Sequence, residues 1–221
     1  MCNDLKIKIF IFNQVGVNTL VLYDDTKEAV IIDPGMGNFI ERQELSDFCA
    51  EHSLKIKYVI NTHPHIDHVL GNGYCISAFN VPLLMHEAGM PIYHRSAAYG
   101  VAFGMDCSKS DFPEPDRYLQ EGERITFGRK ELQVLYTPGH ADGSVCLYSP
   151  DAGCVIVGDV LFADSIGRSD LPTGNHALLI ENIKTKLFPL PDATVVYPGH
   201  GPITTIGSEK RDNPFLKGVD L

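Results

Sequence analysis

Apolar and polar positions fall into short runs along the first third of the chain. Lys6–Phe12, Val17–Tyr23 and Ala29–Asp33 are three such runs, separated by the turn-forming pairs Asn13-Gln14 and Asp24-Asp25, and they predict a β-meander. From Phe39 to His52 the period changes. Phe39, Ile40, Leu45, Phe48 and Cys49 recur at roughly helical spacing, so a helix is predicted there, and Lys57–Asn61 (KYVIN) then reads as a buried strand. Further apolar runs at Leu132–Tyr136, Ser144–Tyr148, Cys154–Val157 and Ala193–Tyr197 predict four strands, with a helix over Ala177–Leu187 before the last. Strands interleaved with helices in this way imply an α/β or α+β layered sheet protein.

The segment Glu87–Tyr118, rich in Gly, Ala, Ser and Pro, is expected to be a partly helical excursion that carries a loop over a site. No repeat, linker or low-complexity tract interrupts the chain. Its 14 prolines are spread along the length, which favours one domain over residues 1–221.

Charge and composition narrow the partners. The 221 residues carry 18 Lys and Arg against 28 Asp and Glu, a formal charge of −10, with no cationic runs. That balance argues against a protein that grips nucleic acid. No apolar run approaches the ~20 residues needed to cross a bilayer, so no membrane partner is expected. The start, MCNDLKIKIFIFNQ, alternates like a strand and lacks the features of a secretion signal, which points to the cytoplasm. Cys2, Cys49, Cys75, Cys107, Cys146 and Cys154 contain no CxxC pair and are expected to be mainly buried, reduced thiols.

The chemistry concentrates in histidine. Three of the nine fall within His63-Pro-His65-Ile-Asp67-His68. Side chains at i and i+2 do not share a helix face, so His63 and His65 converge most naturally from a loop after the strand ending at Asn61. Imidazole and carboxylate are donors for Zn or Fe. Thr137-Pro138-Gly139-His140 and Tyr197-Pro198-Gly199-His200 each follow a predicted strand with a tight turn that aims a histidine off the strand end. Asp159, in Val157-Gly158-Asp159, ends another apolar strand, where a cation is the economical partner for a buried carboxylate. His86, His94 and His176 lack such surroundings and are expected to be structural or surface residues.

THPHIDH, TPGH, GD and PGHG, in this order and spacing, resemble the metallo-β-lactamase superfamily over nearly the whole chain. The resemblance implies a four-layer αβ/βα sandwich with the site at one sheet edge. It implies one metal ion held by His63, His65, His140 and Asp159, and a second by Asp67, His68, His200 and Asp159. The cofactor expected is therefore two divalent ions, Zn foremost with Fe or Mn as alternatives, and Asp67 and Asp159 serve the chemistry directly. Many true β-lactamases carry cysteine where Asp159 stands. Flavin-dependent diiron relatives carry Glu at the place of His65, and RNA-processing relatives add a basic arm that is not recognisable here.

The segments Gly167-Arg168-Ser169-Asp170-Leu171-Pro172 and Lys210-Arg211-Asp212-Asn213-Pro214-Phe215 resemble the short type of glyoxalase II, hydroxyacylglutathione hydrolase. That implies hydrolysis of a small-molecule hydroxyacyl thioester, such as lactoylglutathione, by a metal-bridging hydroxide. A thiolate leaves with little need of a general acid. Arg168 is expected either to face a substrate carboxylate or to pair with Asp170, Lys210 and Arg211 either to contact an anionic thiol carrier or to be solvated tail charges, and Asp33 and Asp170 either to orient ligand histidines or to be ordinary turn aspartates. Only 21 residues, Gly201 to Leu221, follow His200, where longer glyoxalase II enzymes add a glutathione-gripping helical domain, so strong glutathione selectivity is not expected. The competing readings are a mono-iron persulfide dioxygenase, another hydrolase of the superfamily such as a lactonase, and a non-catalytic protein with a structural metal site.

Overall fold

A computed structural model describes residues 5–102, 104, 107–108 and 111–217. Cys2 lies outside the described residues. Strands β1 (Lys6–Phe12), β2 (Val17–Tyr23), β3 (Glu28–Ile32), β4 (Lys55–Ile60), β5 (Leu83–Met85) and β6 (Arg117–Tyr118) form one six-stranded sheet in that order. β1, β2 and β3 pair antiparallel as a meander, and β3 to β6 run parallel. The second sheet holds β7 (Arg124–Phe127), β8 (Lys130–Tyr136), β9 (Val145–Ser149), β10 (Cys154–Gly158), β13 (Val195–Pro198) and β14 (Thr204–Thr205), with β11 (Leu161–Phe162) and β12 (Ser165–Ile166) as a separate ribbon.

Burial along the strands reports the layering. β2, β3 and β10 are buried nearly residue by residue, as central strands covered on both faces must be. β7, with one wet face, alternates exposed and buried. Three apolar clusters separate four layers. Leu20, Leu22, Ile32 and Ile60 meet Phe127, Val134, Leu147 and Ile156 between the two sheets. Outside the first sheet, Phe10, Val21, Ile31 and Val59 pack with Leu45 and Cys49 of α1 (Phe39–Glu51) and Cys75 of α3 (Asn72–Phe79). Outside the second, Val155, Val157 and Val196 pack with Leu179 of α6 (His176–Asn182), Ile183 and Leu187 of the π-helical turn that continues it, and Ile206 of α7 (Ile206–Asp212). The αβ/βα sandwich expected from the sequence is the fold.

The expected strands and both expected helices form, with ends displaced by a residue or two. Fraying of that size is ordinary at element ends. Asp33, expected to close β3, instead leaves the strand in the left-handed region at φ 49° and turns the chain toward the site. The excursion after β5 contains a 3₁₀ turn at Glu87–Gly89, α4 (Met90–Tyr93) and α5 (Ser96–Ala102). Cys49, Cys75, Cys146 and Cys154 are buried free thiols, and Cys107 is half-buried. Burial pushes Cys49 and Cys146 up to about 12, which keeps both as inert thiols. No helix among the described residues is long and apolar enough to cross a membrane.

Candidate metal centre

Strand direction decides where the histidines go. β8 and β10 are each antiparallel to β9, and β13 is parallel to β10, so β8, β10 and β13 point the same way and release their chain at one sheet edge. His140, Asp159 and His200 follow those three strand ends. β4 delivers the loop 61–65 to the same place from the other sheet, and the Val145 amide joins the sheets there by donating to the Thr62 carbonyl at 2.8 Å. Asp67 and His68 ride on the short helix α2 (Ile66–Val69).

All seven residues meet. His63, His65 and His140 bring a ligand atom each to within 4.8 Å of one another, and so do Asp67, His68 and His200. Asp159 lies between the two triads. Its Oδ1 is 3.4 Å from His68 Nε2, and its Oδ2 is 3.7 Å from Nε2 of both His140 and His200. Gly199 permits that approach: a methyl there would fall 2.2 Å from Asp159 Oδ1. Gly139 has φ 131° and faces the backbone of Leu179 so closely that a methyl would lie 2.4 Å from its nitrogen. The two Pro-Gly-His turns therefore need glycine for different reasons, one for space at the site and one for helix packing as well as conformation.

Hydrogen bonds fix which nitrogen of each ring faces inward. His68 Nδ1 donates to Asp33 Oδ2 at 3.0 Å, His140 Nδ1 to the Arg168 carbonyl at 2.7 Å, and His200 Nδ1 to the Gly16 carbonyl at 3.2 Å. Thr62 spends its hydroxyl proton on Asp33 Oδ2 at 2.6 Å, so its oxygen accepts from His63 Nδ1 at 3.1 Å. In each neutral ring Nε2 then presents a bare lone pair to the centre. His65 presents Nδ1 instead, 2.8 Å from His140 Nε2.

Such an assembly leaves electron pairs without protons to share. His63 Nε2 and Asp159 Oδ1 are buried with no hydrogen-bond partner, a costly condition that a cation between them removes. The donor set, five imidazoles and two carboxylates with no thiolate, suits divalent Zn, Fe or Mn. The residues fit a divalent metal.

Electrostatics differ between the triads. Burial, reinforced by neighbouring imidazoles, holds His63 well below the ordinary histidine value and His65 down at about 4. His140 is lowered by burial too. Burial acts the same way on His68, but Asp67, Asp159 and Asp33 overcome it and hold His68 well above that value. His200 is raised by Asp67, whose Oδ2 is 3.0 Å from its Nε2, and by Asp159. Burial would raise Asp67 and Asp159, yet His68 and its neighbours keep both below the usual carboxylate range.

The remaining candidates separate. Asp33 binds the His68 ring and also accepts from the Thr62 amide at 2.7 Å. Asp170 does not touch a histidine: its two oxygens take Arg168 Nε and Nη2 at 2.8 and 2.7 Å, an exposed bidentate pair. Arg168 lines the cleft above the centre, but that pairing occupies its fork. Lys210 and Arg211 do not line the cleft, because α7 turns them along the outer helical layer. There Lys210 Nζ meets Asp192 Oδ1 at 2.6 Å, and Arg211 lies beside Asp212. Both stand on α7 apart from the cleft. His94 pairs with Glu114, and His86 stacks on Tyr136.

Sequence reasoning missed the β1–β2 hairpin tip. Asn13 Nδ2 donates to the carbonyls of Asp67 and Gly35 at 3.1 and 3.0 Å, Gly16 supplies the His200 acceptor, and the Asn18 amide donates to the Gly199 carbonyl at 2.7 Å. The only signal was the turn pair Asn13-Gln14 itself. Arg168 was noticed for its side chain, whereas its carbonyl is what holds His140.

Comparison with known proteins agrees with this geometry. The family model described as the Metallo-beta-lactamase superfamily matches residues 13–200. Hydroxyacylglutathione hydrolase GloC of Haemophilus influenzae is 35% identical over 214 residues, covering 96% of this chain and 98% of that protein. The probable metallo-hydrolase YqgX of Bacillus subtilis is 34% identical, covering 94% and 95%. Among solved structures, the BLEG-1 B3 metallo-beta-lactamase superposes with a TM-score of 0.87 at 35% identity, covering 96% of this chain and all of that one. TTHA1623 in a di-iron-bound form gives 0.84 at 35%, covering 95% and 100%, and ETHE1 from Myxococcus xanthus gives 0.79 at 27%, covering 97% and 86%. The matched span begins at the hairpin tip and ends on His200, enclosing every residue of the centre, and the chain belongs to the metallo-beta-lactamase superfamily as a metallo-hydrolase.

Proposed function

We propose that this protein hydrolyses a hydroxyacyl thioester, with lactoylglutathione as the reference substrate, at a centre of two divalent ions. The carrying observation is the pair of triads bridged by Asp159, with His63 Nε2 and Asp159 Oδ1 buried and unpartnered. His63, His65 and His140 would hold one ion and Asp67, His68 and His200 the other, with Asp159 shared. Divalent ions bound by these residues would lower the pKa of a bound water toward neutrality and polarise a carbonyl.

The protein's own part is orientation and charge. Asp33 and the carbonyls of Arg168 and Gly16 keep each ring in the tautomer that leaves Nε2 free. Asp67 and Asp159 remain ionised and offset part of the metal charge. A thiolate, derived from a thiol of pKa about 8.5, departs without a protonating side chain. None is required at the cleft for that bond to break. The likeness to GloC supports the thioester reading, and the di-iron form of TTHA1623 supports iron beside zinc as the resident metal.

The test is metal analysis of the purified protein together with lactoylglutathione turnover, repeated on His65→Ala. Metal-dependent turnover that the variant loses is the expected result. One iron per chain with O₂ consumption on glutathione persulfide would replace the hydrolase by an oxygenase, and hydrolysis of a β-lactam without any thioester turnover would move the assignment toward lactamase chemistry.

A further inference from the structure

The cleft above the centre has a volume of about 460 Å³ and opens onto His65, Asp67, His140, Asp159 and His200. Its walls are apolar for a site expected to meet a charged tripeptide thioester. Ile66, Ile92, Tyr99, Leu171 and Pro172 line it from four separate segments, and Val15 from the hairpin tip. Ile66 sits in the chain between His65 and Asp67, so apolar surface begins beside the reacting position. Helix α5, which carries Tyr99, packs close by: a methyl on Gly100 would lie 3.6 Å from Ile66 Cδ1, an ordinary contact distance.

The Leu171-Pro172 wall is braced rather than loose. The Leu171 carbonyl accepts from the Gly174 amide at 2.9 Å, Thr173 Oγ1 accepts from the Asp142 amide at 2.9 Å, and the Asn175 amide donates to the Gly139 carbonyl at 2.8 Å. These bonds tie it to the turn that presents His140. Polar lining beyond the centre is limited, among the described residues, to Gln14, the Tyr99 hydroxyl and Arg168, whose Nε and Nη2 both donate to Asp170. A carrier rich in amides and carboxylates finds few polar partners on these walls. The carrier is therefore directed to the open side, and the group on the carbonyl carbon faces the apolar walls.

We infer that the acyl side of the substrate is selected by apolar contact. The preferred 2-hydroxyacyl thioester carries an alkyl or aryl group larger than the methyl of a lactoyl unit, held against Ile66, Ile92, Tyr99, Leu171 and Pro172. The cleft volume lies within the 300–1,000 Å³ usual for small-molecule pockets, far more than a methyl fills. This inference rests on the thioester reading above and adds the chemical class of its acyl group. Each methylene moved from water onto such walls is expected to raise kcat/KM by about fourfold.

The experiment uses the metal-replete full chain and glutathione thioesters of lactate, 2-hydroxybutyrate, 2-hydroxypentanoate and mandelate. The expected result is a rise of about fourfold per methylene through 2-hydroxypentanoate, with mandelate also above lactate. In Leu171→Ser the rise per methylene is expected to fall below about twofold while metal content stays that of the parent. A flat or falling series with lactoyl turnover intact overturns the inference and leaves the thioester reading standing. Absence of turnover on every thioester counts against that reading instead. The walls are then tested by calorimetric binding of the free 2-hydroxy acids: affinity rising with chain length supports them, and equal affinities overturn them.

Discussion

The two triads of the centre are built from the same residue types but held in opposite electrostatic states. His63, His65 and His140 are buried imidazoles whose low proton affinity comes from burial and from one another, so they face the centre as neutral donors at pH 7. His68 and His200 stand among Asp67, Asp159 and Asp33, which favour the proton. Without a cation, the first triad has lone pairs in excess, whereas the carboxylates around the second favour protons on its imidazoles. A metal ion therefore meets little proton competition at the first triad and more at the second.

The largest effect expected from this contrast is the loss of the first triad. His63→Ala and His65→Ala should each lower thioester turnover by about 10³-fold or more, since neither lone pair has a substitute nearby. Preserved turnover in either would remove the triad from the chemistry. Next comes the residue that orients the second triad. Asp33→Asn keeps the shape but weakens the acceptor for His68 Nδ1, and metal affinity at the second triad should fall about 10–100-fold, with a smaller fall at the first, which Asp33 reaches only through Thr62 and His63. An equal fall at both would mean that Asp33 supports the fold of the edge rather than one ring.

Proton competition sharpens the comparison further. A ligand whose metal-free value is raised keeps its proton to higher pH, so acidification from pH 8 to pH 5 should release the second-triad ion before the first. Metal content measured by dialysis at stepped pH checks the order, and simultaneous release would erase the distinction between the triads. The smallest effect is expected outside the centre. Lys210→Ala and Arg211→Ala should each change kcat/KM by less than about twofold, because the Lys210 ammonium meets Asp192 and neither residue lines the cleft.

Much of this arrangement could be read from the chain because its signals are local. His63-Pro-His65-Ile-Asp67-His68 packs four donors into six positions, and two copies of Pro-Gly-His after apolar runs mark strand ends that aim a side chain outward. The layered fold followed from short buried runs with a helix between them. What stayed hidden depends on backbone groups and on distance. Carbonyl oxygens of Gly16, Arg168 and Asp67 carry no residue signature, although they hold His200, His140 and the hairpin tip. Arg168 and Asp170 read as site residues by their chemistry, but two residues' separation lets them satisfy each other first. Where Lys210 and Arg211 point is equally illegible in the chain, because helix α7 decides it and a helix's orientation is a property of the packed layer.

The central claim is that two cations share Asp159 between unlike triads, and calorimetric titration of metal-free protein with Zn tests it most directly. The account predicts two ions bound per chain, falling to one in an Asp67→Asn, His200→Ala double variant with the tighter ion retained. Saturation at a single ion in the parent chain, or unchanged binding of two in the double variant, would contradict it.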